Sequence, residues 1–97
     1  MPAYLIARVK VDDPEIYSGY TALSPAVIEA HGGRFLSRGQ APMTLEGPEE
    51  QRRMVLVEFP DMDHARAFYE SPEYQTAKAI RLPVSQAEFV VVPGIAL

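Results

Sequence analysis

A phenol and a guanidinium, Tyr74 and Arg81, share one stripe of the segment SPEYQTAKAIRL with Ala77 between them. Their spacing of seven residues predicts a separation of two helical turns, about 10 Å along the axis. At that distance they could grip two ends of one small ligand, with Arg81 holding a carboxylate or enolate. A direct hydrogen bond between them would need the side chains to tilt. The bland alternative for Arg81 is a helix-end arginine that favours the negative helix terminus and points to water. Tyr20 is expected on the buried stripe of an earlier helix, where its hydroxyl faces the same cavity or serves as an ordinary core phenol. Arg38 and Glu58, with Arg8, are polar members of otherwise apolar strand faces. If they meet between two sheets they form an ion pair that fixes register; the sharper reading makes Glu58 a general base with a raised pKa. Tyr74, Arg81 and Glu58 are therefore the catalytic candidates, and Tyr20, Arg38, Tyr74 and Arg81 the ligand-binding ones.

The remaining polar residues read as structural. His31 falls in the last turn of the first helix, where an imidazole bonds exposed carbonyls. His64 lies beside Asp61 and Asp63, but this cluster has no recognised ligand spacing, so no metal is expected. Haem held by a helix histidine fails for the same reason, and no cofactor is called for. The glycines at 32, 33 and 47 are turn residues, with neither G-x-G-x-x-G nor a P-loop around them. Ser71 reads as a helix cap and lacks the strand-turn-helix elbow of a nucleophile.

The elements that must position these groups follow from periodicity. Ala3 to Val11 alternates as a strand, with Leu5, Ala7, Val9 and Val11 on one face and Tyr4, Ile6, Arg8 and Lys10 on the other. Asp13-Pro14 starts a helix whose stripe is expected at Ile16, Tyr20, Leu23, Val27 and Ala30. Pro25 falls on the opposite side of that helix, as a kink or a restart, and Gly32-Gly33 ends it. Arg34 to Gln40 is a second strand, with Leu36 and Arg38 on one face and Phe35 and Ser37 on the other. Met43-Thr44-Leu45 is expected to continue it after a bulge at Gly39. Arg53 to Phe59 is the third strand. Asp61 and Ser71-Pro72 start two successive helical segments, and Ala87 to Val92 is the last strand.

The order strand, helix, strand, strand, helix, strand is the ferredoxin-like α+β plan, a four-stranded antiparallel sheet with its helices on one face. The 97 residues fit one domain, 1–97. Cysteine is absent, which excludes disulfides and thiolate chemistry. The N-terminal MPAYLIARVKV is too short and too charged for a signal peptide or a membrane span, so the expectation is a cytoplasmic protein. Thirteen acids against nine bases give a net charge of −4, unfavourable for a nucleic-acid backbone. The third strand also lacks the aromatics that RNA-binding domains of this plan display. Tyr4, Ile6, Met54 and Leu56 make the sheet face away from the helices apolar, and such a face needs a cover. A second copy stacked sheet to sheet, as a homodimer, is the expected cover.

AYLIARVKVDDPEIYSGY, AHGGRFLSRG, VLVEFPDMDHARAFYESPEYQTAKAIR and FVVVPG together resemble the family known as domain of unknown function 1330. The His31-Gly32-Gly33 turn and the string from Ala65 to Tyr74 are the most specific parts of that resemblance. It implies the dimeric α/β-barrel fold, whose relatives include cofactor-free monooxygenases, muconolactone isomerases and haem-degrading enzymes; the family itself has no settled activity. Two functional readings follow. One is a homodimer binding a small apolar or anionic metabolite between helices and sheet, with isomerase, lyase or oxygenase chemistry that needs no cofactor. The other is a non-enzymatic assembly module whose polar groups are all structural.

Overall fold

The computed structural model describes residues 1–95. Strand β1 (Ala3–Val11) is followed by helix α1 (Pro14–Ala30), then β2 (Arg34–Arg38) and β3 (Arg53–Phe59). Two helices, α2 (Met62–Glu70) and α3 (Pro72–Arg81), lead through a 3-10 turn (Leu82–Val84) to β4 (Ser85–Pro93). The sheet is antiparallel, in the order β2-β3-β1-β4. This is the ferredoxin-like α+β arrangement expected from the chain.

The helix starts are set by side-chain caps that satisfy the first free amides. Asp13 accepts from the Ile16 amide at 3.2 Å and Asp61 from the His64 amide at 2.7 Å. Ser71 works twice: its Oγ donates to the Phe68 carbonyl at the end of α2 and accepts the Tyr74 amide at the start of α3. The junction thus turns in a single residue, and Tyr74 enters the first turn of α3 aimed at the core.

Alternate residues of β1 (Ala3, Leu5, Ala7 and Val9) and of β3 (Val57, Phe59) are buried beneath the helices with Phe68, Tyr74 and Ala77. Helix α1 departs from its expected register. Its buried residues are Tyr17, Tyr20, Ser24 and Ile28, while Ile16 and Leu23 are exposed. Two candidate stripes share Tyr20, and apolar count favours the one through Ile16 and Leu23. Docking, chiefly against α3, selects the other, which buries the small Ser24. Pro25 is accommodated within one continuous helix and lies toward the sheet, not on the far side.

Strand β2 carries a second correction. Its bulge lies between Phe35 and Ser37, not at Gly39. The extra residue resets the alternation, so Phe35 and Arg38 come to the helix face together and Arg38 stacks 4.3 Å over the Phe35 ring. Met43-Thr44-Leu45 forms no strand; Met43 and Leu45 are exposed in the connection to β3. Strand β4 is longer than expected, from Ser85 to Pro93, because it pairs with the whole of β1.

Candidate functional site

The helix face of the sheet and the underside of α1 enclose a cavity of about 80 Å³. Its apolar wall includes Val9, Ile28, Phe35, Val55 and Phe68; its polar groups are Tyr17, Tyr20, Thr21, Ser24, Arg38 and Arg53. Among the described residues, no carboxylate and no imidazole belongs to this lining.

Behind Tyr20 stands a buried polar chain. The Tyr20 hydroxyl is 2.9 Å from that of Tyr74, and Arg81 donates to the Tyr74 oxygen from Nε at 3.2 Å and Nη2 at 3.1 Å. The chain therefore joins α1 to α3 through their facing stripes. The tilt that a direct bond between Tyr74 and Arg81 requires is present. Seven residues do span two turns, but helical side chains lean toward the N-terminus, so Arg81 reaches back along its own helix to the phenol.

The direction of the chain follows from valence. A phenol oxygen has two lone pairs and one hydrogen. Two donors from Arg81 occupy the acceptor capacity of Tyr74, so the Tyr74 hydrogen goes to Tyr20. The Tyr20 oxygen is then an acceptor, which leaves its own hydrogen for a group in the cavity.

Burial and the neighbouring groups act differently on the two phenols. Burial raises the pKa of Tyr20 far above the usual phenol value, and the neighbouring Tyr74 raises it further. Burial also raises Tyr74, while the Arg81 charge and the hydrogen bond that Tyr20 would donate to an ionised Tyr74 work in the opposite direction. Tyr74 is thus the member of the pair on which a negative charge is best tolerated. Arg81 is only 4% exposed. Burial opposes its charge, but the two tyrosine oxygens more than offset that and its pKa is raised. None of the ion pairs among the described residues involves Arg81. A guanidinium withdrawn from water and held by neutral oxygens alone is an uncommon arrangement, because desolvating a cation is costly without an anion beside it. Arg81 also packs 4.6 Å from the Phe89 ring and borders a second, more open groove of about 620 Å³ between α2, α3 and β4.

The structure separates the other candidates. Glu58 lies on the opposite face of the sheet, paired with Arg34 at 2.7 Å, and does not approach the cavity. Arg38 does not meet Glu58 either, since the β2 bulge turns it to the helix face. Arg8 pairs instead with Glu50 at 3.4 Å, and Glu50 with Arg52 at 2.8 Å. Arg52 also binds Glu88, so Glu88 is no partner for Arg81. His31 caps α1, its Nδ1 2.9 Å from the Val27 carbonyl. His64 is held by Asp61 at 2.7 Å, and no group of three or more potential metal ligands occurs among the described residues.

Tyr17, Thr21, Ser24 and Arg53 line the cavity and were not singled out as site residues from sequence. Arg53 has the same parity in β3 as Val55, Val57 and Phe59, so a cation at the start of a core-facing row was the available signal.

Among solved structures, a protein of unknown function from Rhodopseudomonas palustris is similar over 99% of this chain and 84% of its own, at 21% identity and a TM-score of 0.76. A cofactor-independent oxygenase, SnoaB from Streptomyces nogalater, matches over 99% of this chain and 95% of its own, at 14% identity and a TM-score of 0.70. A dimeric ferredoxin-like protein of unknown function from Jannaschia sp. CCS1 matches over 97% of this chain and all of its own, at 11% identity and a TM-score of 0.68. These likenesses are of fold. No curated protein sequence matches the chain. The match to the model for the domain of unknown function DUF1330 covers residues 2–95, and the chain belongs to that family.

Proposed function

We propose that this protein is a homodimer that binds a compact, mostly apolar, anionic metabolite in the cavity beneath α1, with Tyr20 donating to an oxygen of that ligand. The observation that carries the reading is the buried Arg81, which has no carboxylate partner among the described residues and is connected through Tyr74 to the free hydrogen of Tyr20. Arg81 and Tyr74 act through Tyr20, as positioning residues.

The lining supplies an acid and two cations but no base, so the ligand enters already ionised. An enolate or phenolate oxygen fits. When Tyr20 gives its proton to the ligand, the Tyr20 O–H bond breaks and a ligand–H bond forms. The Tyr74 proton then moves to Tyr20, and the negative charge ends on the Tyr74 oxygen beside Arg81. Proton return along the same path restores the starting state. Such stabilisation and reprotonation of an enolate is the step shared by isomerase and lyase reactions that use no cofactor.

The dimer reading rests on the other sheet face. Leu56, Ile6 and Val90 are direct neighbours across β3, β1 and β4 and form an apolar row. On one side of that row lies the Arg34–Glu58 pair, and on the other the network of Arg8, Glu50, Arg52 and Glu88. An apolar band rimmed by ion pairs has the anatomy of a protein interface. The Jannaschia neighbour is described as dimeric.

The test is ligand binding by wild type and Tyr20→Phe, using small aromatic acids and phenols followed by calorimetry. Tyr20→Phe should stay folded with Arg81 still held by Tyr74. It should lose about 1–3 kcal/mol of stability for the Tyr74 hydroxyl left without its acceptor, and should bind about tenfold more weakly, the worth of one hydrogen bond to a charged group. Equal affinity for the two proteins, or no binding by wild type, overturns the reading.

A further inference from the structure

We infer that Arg53, assisted by Arg38, forms a carboxylate subsite at the outer end of this cavity, so that the ligand is an aromatic or unsaturated carboxylic acid with a second oxygen at its far end. The inference rests on the ligand reading above and specifies its substrate class.

The five arginines on or beside the strands fall into two groups by sheet face. On the open face Arg8, Arg34 and Arg52 each have a carboxylate partner. On the helix face Arg38 and Arg53 have none among the described residues, although both line the cavity. Arg53 is half-buried, and its Nε is buried without any hydrogen-bond partner. Its Nη2 donates to the Arg38 carbonyl at 3.0 Å. A buried donor left unmade costs about 1–3 kcal/mol, more when it is charged, so a site that keeps one has a use for it.

The guanidinium is also seated. Its carbon lies 5.6 Å from the centre of the Tyr17 ring. Gly39, at φ +99°, leaves room on its other side: a Cβ there would stand 2.6 Å from Nε and from Nη2. Both the left-handed backbone and the close approach require glycine at this position. Arg38 is exposed and fixed over Phe35, which adds a second cation at the solvent end.

Planar guanidinium donors match a carboxylate better than any other common anion-binding side chain. The cavity therefore has Tyr20 on α1 for one oxygen, the Arg53 and Arg38 pair on the strands for a carboxylate, and an apolar wall of Val9, Ile28 and Val55 between. The absence of any carboxylate in that lining favours the same class of ligand.

The experiment compares 4-hydroxybenzoate with 4-hydroxybenzamide, which differ only in the charged group, by NMR titration of the wild-type protein. The acid should shift both the Tyr20 ring and the Arg53 Nε–H resonance, and the amide should bind at least about tenfold more weakly. Arg53→Met should lower affinity for the acid by about tenfold and leave the amide unchanged. Where that variant fails to fold, the acid-to-amide ratio and the Nε–H shift in wild type still decide. Equal binding of acid and amide, with Tyr20 shifted and Arg53 still, overturns the carboxylate subsite and leaves the cavity reading standing. A shift at Arg53 without one at Tyr20 supports the subsite and removes Tyr20 from the ligand. Silence at both residues overturns both.

Discussion

At the level of single residues, the decisive feature is a buried cation held by phenol oxygen and aromatic rings, with no carboxylate partner among the described residues. Arg81 could be thought a structural clasp between α1 and α3, and its removal distinguishes clasp from function. Arg81→Met keeps most of the packing against Phe89 and removes the buried charge. Two charge-assisted hydrogen bonds are lost, but so is the desolvation penalty, and replacing buried charge by an apolar chain of similar size is often near neutral. We expect urea denaturation to place Arg81→Met within about 1 kcal/mol of wild type, together with weakened ligand binding. A loss of 3 kcal/mol or more, on the scale of breaking a buried pair, would make the guanidinium a structural element instead. The stripe of Tyr74, Ala77 and Arg81 is legible in the sequence, because Ser71-Pro72 fixes where the helix begins and all three are buried. The hydrogen bond within it was not, since spacing along an axis omits the reach of the side chains. Arg53 was missed for a related reason: a lone arginine at a strand start looks like a solvated end until parity with its row is counted.

Elements were legible where backbone chemistry punctuates the chain and less so where two faces compete. Strand β3 and the caps at Asp13, Asp61 and Ser71 fall where their residues demand. The α1 register did not, because this helix has apolar residues on two adjacent stripes and only docking chooses between them. The β2 bulge carries no glycine or proline to announce it, yet it decides that Arg38 belongs to the cavity and not to Glu58. Ser71 is the most economical of these joints, closing one helix and opening the next. Ser71→Ala removes both bonds and should cost about 1–2 kcal/mol, read from the midpoint of urea unfolding. An unchanged midpoint would show that packing of Phe68 and Tyr74 alone holds the junction.

At the scale of the molecule, the fold is two layers, with a short Cα dimension of 15 Å. One sheet face is covered by helices; the other carries the row Leu56, Ile6 and Val90, with Val90 50% exposed. Leu56→Asp places a charge at the β3 end of that row, directly beside Ile6. If the row is the dimer interface, the substitution should dissociate or unfold the protein, at a cost of several kcal/mol for an unpaired charge at a dry contact. Light scattering on both proteins gives the answer. A wild-type monomer, or a Leu56→Asp dimer of normal stability, removes this face from the interface.

The position of β1 has a consequence for how the chain is made. Of the four strands of this sheet, the first in chain order is central, paired along its length with β3 on one side and β4 on the other. Its second edge must wait for residues Ser85 to Pro93, the last of the four in chain order. Until then the nascent protein carries a three-stranded sheet with an apolar strand open along one side, a template for pairing with other chains. Closing contacts between residues so distant in sequence is slow, because the loop must be ordered before the pairing rewards it. Strand β4 thus completes the floor beneath α2 and α3 and, in the same event, removes the most adhesive edge that the growing chain exposes.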